Sequence, residues 1–320
     1  NSWRTPVAAD IDQDGQQEII LANNVYDARG RLLWSNPGTG AGNFSAVVDV
    51  DGDPGGEVFF MSGSTSYLHN EDGTLLDSWQ IPGSNPGPPC AADFDGDGAV
   101  EIAVPANTQI SVWETNGTML WTAQIDDSSG LAGCSGYDVD GDGAYEVLYA
   151  DQDDFKIYDG ATGAVRYDNT SHSSGTVWEY PVIADVDGDD STEIILGSND
   201  MWWEGWTGIT VIGDSSGSWA PARPVWNQHA YHITNVNNDL TIPAVQQKNW
   251  LSWNDFRAGG TELGPSHWQP DLEVGGPDSC TLDCDQGQVR LYVPIKNSGL
   301  VSTDSFTVGF HQDSERGALV

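Results

Sequence analysis

The chain has 320 residues, with 11 Lys plus Arg against 48 Asp plus Glu, a formal net charge of −37, 38 glycines and 14 tryptophans. So few cations exclude a nucleic-acid partner, whose phosphates require Lys and Arg, and so strong a negative charge is repelled by anionic membrane surfaces. No run approaches the roughly 18 apolar residues of a membrane span, so no direct membrane insertion is expected. The length allows one large domain, or one domain and part of another. Asn1 leads almost directly into an apolar strand, as expected of a piece of a longer protein.

Val7-Ala8-Ala9 is the first short strand, and Asp10, Asp12, Asp14 and Glu18 follow it at positions 1, 3, 5 and 9 of a tight loop, with Gly15 at position 6. A second apolar run, Ile19-Ile20-Leu21, comes next, and Val25-Tyr26 then turns through Asp27-Ala28-Arg29-Gly30 into Leu32-Leu33-Trp34. The pattern recurs. Ala46-Val47-Val48 leads into Asp49, Asp51, Asp53 and Glu57; the third copy carries Asp93, Asp95, Asp97 and Glu101; the fourth carries Asp138, Asp140, Asp142 and Glu146. In the fifth, Val182-Ile183-Ala184 precedes Asp185, Asp187, Asp189 and Glu193. The copies start at 10, 49, 93, 138 and 185, so the period is 39 to 47 residues, which fits one four-stranded unit per repeat. Turns such as Asn70-Glu71-Asp72-Gly73, Glu114-Thr115-Asn116-Gly117 and Asp159-Gly160-Ala161-Thr162-Gly163 suit tight hairpins that need φ > 0. Four antiparallel strands per period, arrayed radially, make an all-β chain with a β-propeller of six or seven blades.

Alternate carboxylates on a tight loop converge on one point, and the residue at position 7 can add its backbone carbonyl: Gln16, Gly55, Ala99, Ala144 and Ser191 in the five copies. Hard oxygen donors in that number suit Ca2+, giving about five sites. The opening is like an EF-hand loop, but the last acid arrives at position 9, and the run Ile102-Ala103-Val104-Pro105 that follows the third loop reads as a strand. One acidic loop alone would be a solvated turn; recurrence in register argues for metal. These loops hold twenty of the 48 acids, so folding is expected to be coupled to calcium. Two loops depart from the pattern at position 6, where Pro54 and Asp190 replace glycine.

Over roughly residues 5–262 these repeats resemble the FG-GAP/VCBS repeats of integrin-α-type propellers. The resemblance implies calcium on the loop between the first and second strands of each blade, and a place in a large bacterial surface protein. A degenerate sixth copy, Asn235-Val236-Asn237-Asn238-Asp239, has Pro243 where the glutamate belongs. It sits in Arg223–Asn235, which resembles the closing repeat of such proteins. His229 and His232 in this stretch, read as a strand, point to opposite faces and are expected to be structural.

Cys90 lies three residues before its loop and Cys134 four, so their side chains point to opposite sides of equivalent inner strands in neighbouring blades. Inner strands converge near a propeller axis, and a Cys90–Cys134 disulfide is expected. Cys280 and Cys284 are expected to pair locally. Cysteines, calcium loops and acidity together favour a secreted or cell-surface location, with which the sequons at Asn43, Asn116 and Asn169 are compatible. Between the second and third strands of the fifth repeat, the insertion 198–208 carries Trp202, Trp203 and Trp206 beside acids. In the integrin-like arrangement it lies on the face opposite the calcium loops, where tryptophans suit stacking on sugar rings or an aromatic hot spot. The alternative is that they cover a neighbouring blade.

The period stops near residue 262; residues 263–270 read as a linker, and 271–320 resemble the start of a CARDB-type, immunoglobulin-like sandwich. No Gly-x-Ser-x-Gly, His-Glu-x-x-His or phosphate-binding loop is present, and the paired carboxylates are used by the loops. The leading expectation is a non-catalytic, calcium-binding adhesion module that recognises a glycan or a protein. The alternatives are a polysaccharide lyase-like enzyme using His229, Tyr231 or His232, and a subunit of an extracellular fibre that self-associates through its terminal domain.

Overall fold

The computed structural model describes residues 5–36, 43–189, 191–202 and 205–260, and the backbone of 272–274, 278–280, 290–292 and 295–297. The described chain is almost entirely β-strand and turn, and it divides into two compact units, Asn1–Gly264 and Pro265–Val320.

In the first unit each repeat folds into its own antiparallel sheet with strands in sequence order. The first is β1 (Val7–Ala9), β2 (Glu18–Leu21), β3 (Asn24–Tyr26) and β4 (Leu32–Ser35). The second is β5 (Ser45–Val48), β6 (Glu57–Ser62), β7 (Thr65–His69) and β8 (Leu75–Gln80); the third is β9 (Cys90–Ala92), β10 (Glu101–Pro105), β11 (Gln109–Glu114) and β12 (Met119–Gln124). The fourth is β13 (Ser135–Tyr137), β14 (Glu146–Ala150), β15 (Phe155–Tyr158) and β16 (Val165–Asn169), and the fifth has three strands, β17 (Val182–Ala184), β18 (Glu193–Ser198) and β19 (Gly208–Gly213). Burial falls from first strand to last: β9 and β10 are buried throughout, whereas β12 and β16 are mostly open to solvent. The first strands lie inside and pack in succession, β1 on β5, β5 on β9 and β9 on β13. Their small residues, Ala46, Ala91, Ala92 and Gly136, allow that approach.

Neighbouring sheets are fastened by the tryptophans. Trp34 of the first sheet, Trp79 of the second and Trp121 of the third each cover the turn glycine of the next sheet's outer hairpin: Gly73, Gly117 and Gly163, with φ of +85°, +79° and +71°. A Cβ at Gly163 would lie 2.6 Å from the Trp121 ring. Trp34 and Trp121 also donate their indole N–H to the carbonyls of Glu71 and Gly160, at 2.8 and 2.5 Å. A buried indole N–H needs such a partner, and the recurrence of this contact accounts for part of the chain's tryptophan content.

The degenerate sixth copy does not build a sheet. Among the described residues, 214–257 contain turns and one 3-10 turn, Asn249–Leu251, and no strand. Prolines at 221, 224 and 243 remove ladder donors there, so the strand expected around His229 and His232 is absent. The segment instead fills the space beside the inner strands. Phe256 exchanges backbone hydrogen bonds with Ala91 at 2.8 and 2.9 Å, and β20 (Ala258–Gly259) runs parallel to β13. The Cys90–Cys134 disulfide forms as expected, with Cα atoms 5.6 Å apart.

The second unit shows two antiparallel pairs, β21 (Leu272–Val274) with β24 (Ile295–Asn297) and β22 (Asp278–Cys280) with β23 (Arg290–Tyr292). The rest of the expected sandwich over 271–320 and the Cys280–Cys284 pairing lie outside the described residues and side chains.

Two outcomes follow for stability. Gly163→Ala adds a methyl group against Trp121 at a left-handed residue and should cost more than about 1 kcal/mol in denaturant unfolding. Loss of the Cys90–Cys134 crosslink, which closes a sequence separation of 44 residues, should cost about 3 kcal/mol when unfolding is compared with and without reductant.

Candidate functional site

The five acidic loops share one hydrogen-bonding scheme. The closing glutamate turns inward at the start of the second strand, and its Oε2 accepts the backbone N–H of loop position 2. The pairs are Glu18 with Ile11 at 3.0 Å, Glu57 with Val50 at 2.8 Å, Glu101 with Phe94 at 2.6 Å, Glu146 with Val139 at 2.8 Å and Glu193 with Val186 at 2.9 Å. The aspartate at position 5 accepts from the N–H of position 7 in every loop: Asp14 from Gln16, Asp53 from Gly55, Asp97 from Ala99, Asp142 from Ala144 and Asp189 from Ser191. The aspartate at position 1 accepts from position 4, as Asp49 does from Gly52, Asp93 from Gly96, Asp138 from Gly141 and Asp185 from Gly188. Position 4 is left-handed in all five loops, and in the first loop Gln13 occupies it at φ +66°. Position 6 carries the expected positive φ at Gly15, Gly98 and Gly143. Pro54 cannot adopt it, yet its loop keeps the same bonds, and the Pro54 carbonyl accepts the Trp250 indole N–H at 3.2 Å. Asp190 lies outside the described residues.

Backbone bonds occupy one side of these carboxylates and leave oxygens free to converge. Asp10, Asp12 and Glu18 bring one oxygen each within 4.8 Å of one another, as do Asp49, Asp51 and Glu57, and Asp93, Asp95 and Glu101. Glu57 and Glu101 are 0 % exposed, and the Oε1 atom of each is buried with no hydrogen-bond partner. A buried, unserved carboxylate oxygen is costly, and a cation among these groups would satisfy it. The donors in these groups are all carboxylates, the set that hard divalent ions take.

The electrostatics are consistent with that arrangement. Burial, reinforced by the loop aspartates, pushes Glu57 and Glu101 up to about 8 and Glu18 up to about 7. Burial likewise raises Glu146 to about 8 and Asp138 to about 7. Sequence reading missed three groups beside the loops: Glu71, which clusters with Asp53 and Glu57; Glu114, which clusters with Asp95 and Asp97; and Arg166, bonded to Asp140 and Glu146. Strand register brings Glu114 there, since it pairs directly across from Glu101.

The aromatic insertion sits at the end of β18 away from Glu193, between Ser198 and Gly208. Trp202 and Trp206 are 67 % and 54 % exposed; Trp203 lies outside the described residues. The loop is anchored. Trp206 N–H donates to Ser173 Oγ at 2.7 Å, Ser173 Oγ–H donates to the Trp206 carbonyl at 3.0 Å, and Asn199 Oδ1 accepts the Gly175 N–H at 3.0 Å. Trp202 packs its indole nitrogen where a side chain on Gly175 would stand.

His229 and His232 do not form a pair. His229 lies among Phe44, Trp178 and Tyr180, with the Arg257 guanidinium 3.3 Å from its ring nitrogen. His232 contacts Gln246 and Asn235 and stacks on Phe256. Burial, with Arg257, lowers His229 to about 3, and burial lowers His232 to about 4, so both rings are neutral at physiological pH. Tyr231, 1 % exposed, stacks on Trp226.

The fold and these loops define a β-propeller-like, all-β protein with acidic loops able to hold metal ions. Among solved structures, the Vibrio cholerae biofilm matrix protein Bap1 matches with a TM-score of 0.72 at 18 % identity, over 81 % of this chain and 71 % of that one. A rhamnogalacturonan lyase of Bacillus licheniformis matches at 0.47 and 17 %, over 72 % of this chain and 51 % of that one. An Agrocybe aegerita lectin that recognises non-reducing terminal N-acetylglucosamine matches at 0.41 and 14 %, over 68 % and 65 %. Likenesses as loose as the last two carry no chemistry. No family model matches the chain, and no curated protein matches it in sequence. Among the described residues, no helix is long and apolar enough to cross a membrane.

The raised carboxyl groups set an expected pH dependence for metal-free protein. Between the ordinary glutamate value near 4.5 and the folded values near 8, the folded chain holds more protons than the unfolded one. Stability without metal is therefore greatest at mildly acidic pH and falls as pH rises through this window. Metal needs the same groups deprotonated, so melting temperature in excess calcium should rise with pH over the same range. Parallel curves with chelator and with calcium would contradict this.

Proposed function

We propose that this chain is an extracellular, calcium-stabilised binding module without catalytic chemistry of its own, part of a larger secreted or surface protein. The observation that carries the metal half is the unserved Oε1 of Glu57 and of Glu101, buried among converging carboxylates. Calcium is the ion of choice because it accepts six to eight hard oxygens in flexible geometry. Its ligands are the alternate carboxylates at 10–18, 49–57, 93–101, 138–146 and 185–193, with the position-7 carbonyls. The recurring scheme supports an FG-GAP/VCBS-type propeller over 1–262; a CARDB-like domain from 271 is proposed to follow, with self-association through it as part of the same reading.

The ligand surface is the anchored loop bearing Trp202, Trp203 and Trp206. Exposed tryptophans on a pinned loop stack on sugar rings or anchor a protein partner at little entropic cost. The Cys90–Cys134 disulfide supports an oxidising location, and the fold likeness to Bap1, a biofilm matrix protein, agrees with a place outside the cell. Neutral, packed His229 and His232 favour binding over catalysis.

Chelation should lower the melting temperature, and readdition of calcium should restore it. Trp202→Ala with Trp206→Ala should abolish retention on a glycan array or on cells while leaving calcium-dependent melting intact. Full retention by that folded variant would remove this surface from the reading.

A further inference from the structure

The acidic loops differ in what stands beside them. In the third sheet Glu114 faces Glu101 directly across the β10–β11 ladder, and one oxygen of Glu114 lies within 4.8 Å of oxygens from Asp95 and Asp97. Like charges directly opposite on an antiparallel pair are destabilising unless something neutralises them. In the second sheet Glu71, two residues beyond β7, makes the same approach to Asp53 and Glu57. Its Oε2 is buried with no hydrogen-bond partner, as is Oε1 of the fully buried Glu57. Gly55 makes room for it, since a Cβ there would lie 3.0 Å from Glu71 Oε2.

The fourth sheet solves the same problem without metal. Arg166 on β16 places Nη1 2.8 Å from Asp140 Oδ2 and 2.7 Å from Glu146 Oε1, and Nη2 2.7 Å from Asp159 Oδ2. The glutamate oxygen that has no partner at Glu57 and Glu101 is thus served by a guanidinium at Glu146. In the first sheet Arg31 binds Asp27 at 2.6 Å, and Lys248 Nζ stands 3.6 Å from Asp10 Oδ2.

We infer that the loops form a graded series of divalent-cation sites. Glu71 and Glu114 are additional ligands that make the second and third loops five-carboxylate cages, and Arg166 is a built-in counter-cation that holds the fourth loop together before any metal arrives. This rests on the calcium reading above. Site affinity in calcium loops rises with ligand charge, so the second and third loops fill first. An ion entering the fourth must share carboxylates with Arg166 or displace it.

The test is calorimetric calcium titration of the full chain freed of metal, with melting in excess calcium to confirm that each variant folds. Glu71→Gln and Glu114→Gln should each weaken one tight site by about tenfold, and Arg166→Gln should strengthen one weak site by a similar factor. Arg166→Lys, which keeps the charge but loses the forked contact, should fall between Arg166→Gln and the native chain. If the native chain takes up calcium and these variants leave its isotherm unchanged, the grading is wrong and the calcium reading stands. If the native chain takes up none, both go.

Discussion

The first unit depends on a carboxylate that is buried beside others of the same charge. At each loop the closing glutamate leaves solvent, takes one backbone N–H from loop position 2, and starts the second strand of its sheet. That single bond fixes the loop's path, because it joins the exit of the first strand to the entry of the second. It also concentrates negative charge where water is scarce, and desolvation and repulsion both raise the proton affinity of Glu57 and Glu101. The fold is therefore assembled around carboxylate groups able to hold a metal ion, one of which, in the fourth sheet, is bonded by an arginine.

Packing between sheets obeys a second, simpler constraint. The inner strands are made of small apolar residues because they crowd together, and the outer ones carry the large rings. Each of Trp34, Trp79 and Trp121 reaches the next sheet at a turn glycine, and at Gly73 and Gly163 the missing side chain leaves the ring its place. The interior beside the inner strands is filled by irregular chain from the sixth copy. Within that chain Arg257 is 1 % exposed and stacks on Tyr180 at 4.2 Å. A cation–π contact of this kind offsets some of the cost of burying a charge with no carboxylate bonded to it.

These constraints separate two tasks along the strands. The loop end carries the acids, grouped closely enough to hold metal ions, and joins the first strand of each sheet to the second. The far end of the fifth sheet carries the exposed Trp202 and Trp206, with Trp206 N–H bonded to Ser173 and Gly175 N–H bonded to Asn199.

Much of this was legible in the residues alone. Spacing of acids at 1, 3, 5 and 9, flanked by apolar triplets, determined the loops, the strands around them and their recurrence, because each of those features is local to a dozen residues. Strand parity was enough to pair Cys90 with Cys134. The partners that decide how each loop is neutralised were not legible. Glu71, Glu114 and Arg166 reach their loops across a hairpin, and only strand register brings them there. Trp34 over Gly73 joins separate sheets, and 214–257 looked like one more repeat until its prolines and amides were placed beside the inner strands. Local pattern determined what each repeat is, and contacts between segments distant in sequence decided which charges stand beside each loop.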